Sequence, residues 1–422
     1  MNKPKIAVIG SGISGLACAY FLCEKYSVKI FEKNDYLGGH SNTVEVDYDG
    51  KKIAVDTGFI VFNHATYPNL KSFFNLMNVA YQKSNMSFAV KIDEGCLEYA
   101  GTNLASVFAQ IKNIFNPQFL IMLRDIMRFN KKAIDILERQ FDPNYTLKNL
   151  LDDLAVKKYF RQFYLLPMSG AIWSCPLETM LAYPAQSFVA FFKNHGLLTV
   201  ADQPQWYTVS GGSKEYVKKI AEKIGQNSIS LNDEVTAVER LGDKVLVKSK
   251  KGEELFDLVF FASHGNQVLP LLKNASEAEK EVFSAFKYQP NLAVLHRDSS
   301  VMPNAKKAWS SWVYSNNSKN EDQQIAITYW MNNLQNIDAK YPLFVTLNPS
   351  QEISEDKIFA RFNYEHPIFD SQAVAAQSKI ESIQGLDKIY FCGAYQKNGF
   401  HEDGISSAIS AINKLKVFAP WQ

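Results

Sequence analysis

A chain of 422 residues carries 45 Lys and Arg against 43 Asp and Glu, so its net charge of +2 offers no general field for nucleic acid. Its five cysteines, an odd set without a CxxC pair or metal-ligand spacing, read as reduced thiols of a cytoplasmic protein and give no metal site. No run approaches the ~18 apolar residues of a membrane-spanning helix, and the length suits two or three structural units around a large core.

Residues 6 to 33 read IAVIGSGISGLACAYFLCEKYSVKIFEK and predict a strand, a glycine turn, a helix and a second strand. Gly10 permits the tight turn, Gly12 lets the backbone approach a pyrophosphate, and Gly15 lets helix and strand pack closely. The helix opens near Ser14 and turns its free N–H groups toward the phosphates, while Glu32 stands where a carboxylate holds a ribose diol. Lys3 and Lys5 ahead of an apolar stretch also suit a secretory signal, but no small-residue cleavage site follows. The unit is expected to bind a dinucleotide.

Beyond it, VEVDYDGKKIAVD predicts a hairpin turning at Asp49-Gly50. Apolar residues then recur at helical spacing through Leu104 to Ile114 and Phe119 to Leu137, with Arg124, Arg128, Lys131 and Lys132 between them. This cationic amphipathic stretch is a candidate for resting on a membrane surface, and an ordinary surface helix looks the same. A helix over Lys214 to Ile224 and alternating runs to residue 262 suit a return to the nucleotide domain. Runs between 286 and 365 predict an antiparallel sheet, and KIYFCGAY followed by an Ala/Ser/Ile segment predicts a closing strand and helix. The expected architecture is α/β: a discontinuous Rossmann-type domain over 1–65, 205–265 and 385–422, with an inserted α+β portion over 66–204 and 266–384.

With these pieces in place the chain resembles the flavin-containing amine oxidase and phytoene desaturase superfamily. The resemblance rests on Gly38-Gly39-His40 after Glu32, on Val209-Ser-Gly211-Gly212 with Glu234-Val235, and on Tyr390-Phe-Cys-Gly393-Ala394 followed by Asp403-Gly404-Ile405. It implies a glutathione-reductase-like domain and noncovalent FAD, since no Ser-Gly-Gly-Cys-Tyr attachment sequence is present. The implied cofactor contacts are Gly10, Gly12, Ser14, Gly15, Glu32, Gly39, His40, Gly58, Val235, Gly393, Asp403, Gly404 and Ile405. His40 stands where arginine is usual, and Ala394 where a glutamate is common. A narrower likeness, carried by VDTGFIVFN, AIWSCP, QWYTVSGGS, EHPIFD and GFHEDG, is to predicted oxidoreductases that accompany cyclopropane-fatty-acid synthase-like methyltransferases. It implies acyl chains as substrate and a methyltransferase as partner.

The resemblance sets Asp403 and Gly404 at the start of the last helix, pointing at the flavin, with Asp403 equally suited to cap that helix. His401 and Glu402 just before it are candidate acids or bases, because histidine titrates near neutrality. Tyr395 and Asn63 are candidate walls, with loop packing as the alternative, and Tyr395 is a third catalytic candidate after His401 and Glu402. Trp173 and Trp206 are apolar walls or core fillers, and Cys175 and Cys392 read as inert buried thiols. The expected activity is FAD-dependent dehydrogenation of a hydrophobic substrate such as an unsaturated or methyl-branched acyl chain of a phospholipid. Amine oxidation, or a non-catalytic flavoprotein partnering a lipid methyltransferase, are the alternatives.

Overall fold

The computed structural model describes residues 3–140, 142, 144–173, 180–199, 203–316 and 325–422. Cys175 lies outside them.

Strand Lys5–Ile9 runs through the middle of a five-stranded, wholly parallel sheet. Its neighbours are Ser27–Phe31 and Leu258–Phe261, and Ile229–Ser230 and Ile389–Phe391 form the edges. Parallel strands are covered on both faces, so their sequences are apolar throughout rather than alternating. Here Ile6 and Val8 join a core beneath the helices Ile13–Leu22, Lys214–Ile224 and His401–Asn413, while Ala7 and Ile9 join a second core on the opposite face. That second face is closed by the antiparallel strands Val235–Leu241, Lys244–Ser249 and Gly252–Phe256 and by helices Glu277–Phe283 and Ser371–Gln377. The first helix is buried along most of its length, and small residues let it approach its neighbours. A Cβ on Gly15 would lie 2.0 Å from the Gly10 carbonyl, and one on Gly404 in the last helix 2.7 Å from Ile13. Cys18 of the first helix and Cys392, just after strand Ile389–Phe391, are both fully buried with their sulfurs 3.6 Å apart.

A seven-stranded sheet forms the second layer system, in the order Ile358–Ile368, Lys287–His296, Phe344–Leu347, Ala326–Trp330, Trp312–Asn316, Phe88–Ile92, Leu97–Ala100. It is antiparallel except where Trp312–Asn316 runs parallel to Phe88–Ile92. The last two strands come from the first inserted stretch, 66–204, in which helical spacing alone is read. They are four and five residues long, too short to stand out between helical periodicities.

Packing also draws the division between the two parts elsewhere than at residues 65 and 265. Helix Pro68–Leu76 buries Leu70, Phe73 and Phe74 in the core of the parallel sheet, and Val268, Val282 and Phe283 lie on its other face. Helix Pro117–Lys132 turns Phe119, Met122 and Phe129 into the core that lies against Phe88–Ile92.

Candidate functional site

A groove of about 1020 Å³ runs from the glycine turn to a cluster of aromatic side chains contributed by the second sheet. Its first end is built by backbone. Strand Lys5–Ile9 stops at Gly10, whose φ of +100° and 2.9 Å approach of a Cβ to the Ala262 carbonyl exclude a side chain. Gly12 is the cap residue of the first helix and makes no side-chain cap, so the helix's first N–H groups stay available to an anion. A Cβ on Gly12 would touch nothing within 4 Å. Glu32 ends the neighbouring strand with its buried carboxylate accepting hydrogen bonds from Ser11 N at 3.1 Å, Ser11 Oγ at 2.6 Å and Asn34 N at 2.9 Å. Ser14, Gly39, His40, Gly58, Val235 and Gly393 join these residues along the groove.

Four expected cofactor contacts lie elsewhere. Gly15 and Gly404 serve the packing of the first and last helices, and Ile405 is a fully buried core residue. Asp403 does not open the last helix, which begins at His401. It sits in the first turn, where its carboxylate accepts from Phe400 N at 2.9 Å and Asn398 N at 3.2 Å. Burial pushes it up to about 6. None of these four residues lines the groove.

The candidate acids and bases separate. Glu402 turns away from the groove and caps helix Pro68–Leu76, accepting from Asn69 N at 3.1 Å and Leu70 N at 2.9 Å. Tyr395 packs its ring against Phe286 and Phe283 in the core beneath the parallel sheet. It also lines the groove, as does His401, whose ring is stacked on Phe59 at 3.8 Å between ring centres. Its Nε2 lies 2.9 Å from Ser41 Oγ and 3.2 Å from Tyr216 Oη. Burial holds the ring down to about 3, so it is neutral at physiological pH and a weak proton acceptor there. The expectation of an imidazole titrating near neutrality is corrected by that burial. Asn63 forms a turn, its Oδ1 accepting from Ala65 N and Thr66 N.

Sequence reasoning missed the opposite wall. His40 stacks on Tyr364 at 4.9 Å, with His366 at 5.4 Å and His264 at 6.1 Å. Burial and the neighbouring imidazoles keep His40 well below the ordinary range, and burial brings His366 down to about 4. The alternation of strand Ile358–Ile368, which puts Tyr364 and His366 on one face, was the available signal. Also missed was Asp56, fully buried and pushed up to about 6. It accepts from Thr43 Oγ1 at 2.6 Å, Ser213 N at 2.9 Å and Gln335 Nε2 at 3.0 Å, tying the hairpin to the Gly211-Gly212 turn.

The far end is apolar: Trp173, Trp206, Trp312, Tyr329, Phe369 and Phe400 line it. The lining carboxylates are Glu32, Glu234 and Glu365, and Glu365 is paired with His264 at 3.3 Å. Five lining residues carry buried polar atoms without a protein partner among the described residues: His40 Nε2, Asn266 Oδ1, Trp173 Nε1, Trp312 Nε1 and Tyr395 Oη. Orphaned polar atoms concentrated along one groove are what a bound polar ligand would satisfy. With the open backbone at Gly12 and the carboxylate of Glu32, the near end fits a dinucleotide.

Residues 8–76 match the NAD(P)-binding Rossmann-like domain family. The chain is 22% identical to flavin-containing amine oxidase A of Equus caballus over 269 residues, 59% of this chain and 47% of that protein. It is 32% identical to a 1-hydroxycarotenoid 3,4-desaturase of Flavobacterium sp. (strain P99-3) over 119 residues, 26% of this chain and 24% of that one. The chain thus spans about half the length of the first relative and a quarter of the second. Among solved structures, a CLA-producing fatty acid isomerase from P. acnes superposes with a TM-score of 0.68 at 13% identity, covering 97% of this chain and 98% of that one. At that identity the likeness is one of fold. Among the described residues no helix is long and apolar enough to cross a membrane.

Proposed function

We propose that the chain belongs with the flavin amine oxidases and desaturases it is similar to, and that it is an FAD-dependent oxidoreductase removing hydrogen from a hydrophobic substrate. The proposed substrate class is an unsaturated or methyl-branched fatty acyl chain, and the proposed FAD is noncovalent. The observation that carries this reading is the two-ended groove, with a backbone cradle and Glu32 at one end and three tryptophans with Tyr329, Phe369 and Phe400 at the other.

FAD, when bound, supplies the two-electron acceptor. The chain's own residues hold and shape the site. The Gly10 to Ser14 turn and the first helix would hold the diphosphate through backbone N–H groups, and Glu32 would take the ribose hydroxyls. His401, fixed by Ser41 and Tyr216 and stacked on Phe59, stays neutral and keeps one wall of the groove in place. The aromatic side chains orient an apolar chain and exclude water. An acyl substrate is favoured over an amine because the groove's carboxylates belong to the nucleotide end, so the aromatic end offers a cation no counter-ion among the described residues.

The test is anaerobic mixing of the FAD-loaded protein with unsaturated fatty acids or phospholipids and, separately, with small primary amines. Bleaching of the flavin by the acyl compounds, with a product two hydrogens lighter, is expected. Bleaching by amines alone would replace this reading with amine oxidation. A product of unchanged mass with a displaced double bond would replace it with isomerisation.

A further inference from the structure

Twelve large apolar side chains are exposed among the described residues, and six of them fall within one short stretch: Leu104, Ile111, Ile114, Phe115, Leu120 and Met127. The three most exposed are Phe115 at 80%, Leu104 at 77% and Ile111 at 74%. They sit on two short turns, Leu104–Val107 and Ile111–Phe115, that lead into helix Pro117–Lys132. The turns are fixed to the protein. Gln110 exchanges hydrogen bonds with Glu98 N at 3.0 Å and the Gly95 carbonyl at 2.7 Å, and buried Asn113 donates to the Glu98 carbonyl at 3.4 Å. The helix meanwhile has an inner apolar face of its own, where Phe119, Met122 and Phe129 are fully buried. The outer apolar residues are therefore a second face, which the core does not need.

Charge on this stretch is one-sided. From Leu104 to Lys132 there are five cations, Lys112, Arg124, Arg128, Lys131 and Lys132, and a single carboxylate, Asp125. Asp125 is buried, taken up by Lys157 N at 3.0 Å and by Arg124. A chain that is nearly neutral overall thus concentrates exposed cations beside its largest group of exposed apolar side chains. Contiguous exposed apolar surface marks an interaction site, and apolar side chains flanked by Lys and Arg fit the boundary between acyl chains and anionic headgroups. A protein partner is disfavoured, because the buried centres of protein interfaces are depleted in lysine. A second copy is disfavoured too, because a two-fold contact would set this cationic surface against itself.

We propose that residues 104–132 form a docking surface for an anionic lipid bilayer, with Leu104, Ile111, Ile114, Phe115 and Leu120 entering the acyl boundary and the cations meeting lipid phosphates. The surface differs from the amphipathic face that periodicity suggested over Phe119 to Leu137, since that face is in the core. The proposal rests on exposure and charge alone and stands whether or not the groove takes an acyl substrate.

Co-sedimentation of the full chain with phosphatidylcholine vesicles, with and without phosphatidylglycerol, tests it. Binding is expected only to the phosphatidylglycerol vesicles and is expected to weaken as salt is raised. The Ile111→Ser/Phe115→Ser variant should bind at least about tenfold more weakly. Lys131→Gln/Lys132→Gln should lose about twenty-fivefold, at about fivefold for each cation near the surface. Both pairs lie on exposed positions, so wild-type melting temperatures are expected. No binding to phosphatidylglycerol vesicles, equal binding to both vesicle types, or wild-type binding by both variants would overturn the proposal. So would a lipid-free dimer that Phe115→Ser dissociates, which would make the surface a contact between copies.

Discussion

Glu32 illustrates how one side chain both shapes and serves a site. Its carboxylate already accepts from Ser11 N, Ser11 Oγ and Asn34 N, so it braces the glycine turn while keeping a charge at the groove. Charge-assisted hydrogen bonds are worth about 1.5 to 3 kcal/mol, so Glu32→Ala should weaken FAD binding roughly ten- to a hundredfold in titrations of the apoprotein. Unchanged affinity would remove Glu32 from the site. This residue was legible because its position is set locally, by one strand, one turn and one helix in sequence. His401 was only half legible. Its nearness to the groove followed from the last helix, but its protonation did not, because the groups that bury it, Ser41, Phe59 and Tyr216, lie 185 or more residues away in the chain. Glu402 misled for a similar reason: its partners are the free N–H groups of a helix that begins at Pro68.

The first and last helices divide the work of their glycines, and two substitutions separate those tasks. Gly12 has ordinary backbone angles, φ −64° and ψ 177°, and open space where a Cβ would stand. Gly12→Ala should therefore keep its stability to within about 0.5 kcal/mol while losing FAD affinity, because the methyl group projects into the groove. Gly404→Ala should behave in the opposite way. Its Cβ would press on Ile13 and on Ser14 Oγ, 2.9 Å away, and overpacking of this kind costs about 1 to 3 kcal/mol. Urea denaturation together with FAD titration reads both. Loss of stability in Gly12→Ala, or none in Gly404→Ala, would reverse the assignment. Periodicity and turn residues gave the helix Lys214–Ile224 and the hairpin Thr43–Tyr48/Lys51–Asp56 with their turn at Asp49-Gly50. They did not give the hairpin of Phe88–Ile92 and Leu97–Ala100, which joins the rest of the sheet only through Trp312–Asn316, more than 200 residues on.

At the scale of the molecule, the parallel sheet takes its strands from residues 5–31, 229–261 and 389–391, so the family match over 8–76 covers only one corner of a structure that needs the rest. The last segment is part of the core. Ile405, Ile409 and Ile412 are buried against the first helix, and fully burying such side chains is worth about 1.5 to 3 kcal/mol each, comparable in sum with the 5 to 15 kcal/mol of a whole domain. A chain ending at residue 384 should lose cooperative thermal unfolding along with FAD binding. A cooperative transition near the wild-type temperature would show that the closing strand and helix are dispensable. The discontinuity was legible because each segment carries its own strand and glycine signals. Which residues of the inserted portion reach the groove was not, because that depends on how two sheets meet. The central strand Lys5–Ile9 also bears on how the protein is made. Its partner Leu258–Phe261 emerges some 250 residues after it. At 5 to 20 residues per second, one edge of the strand stays bare for about 12 to 50 s on the ribosome. Each nascent chain therefore passes through an interval in which its future cofactor site is an unpaired apolar ribbon, and chaperone supply during synthesis would govern how much of the protein is recovered.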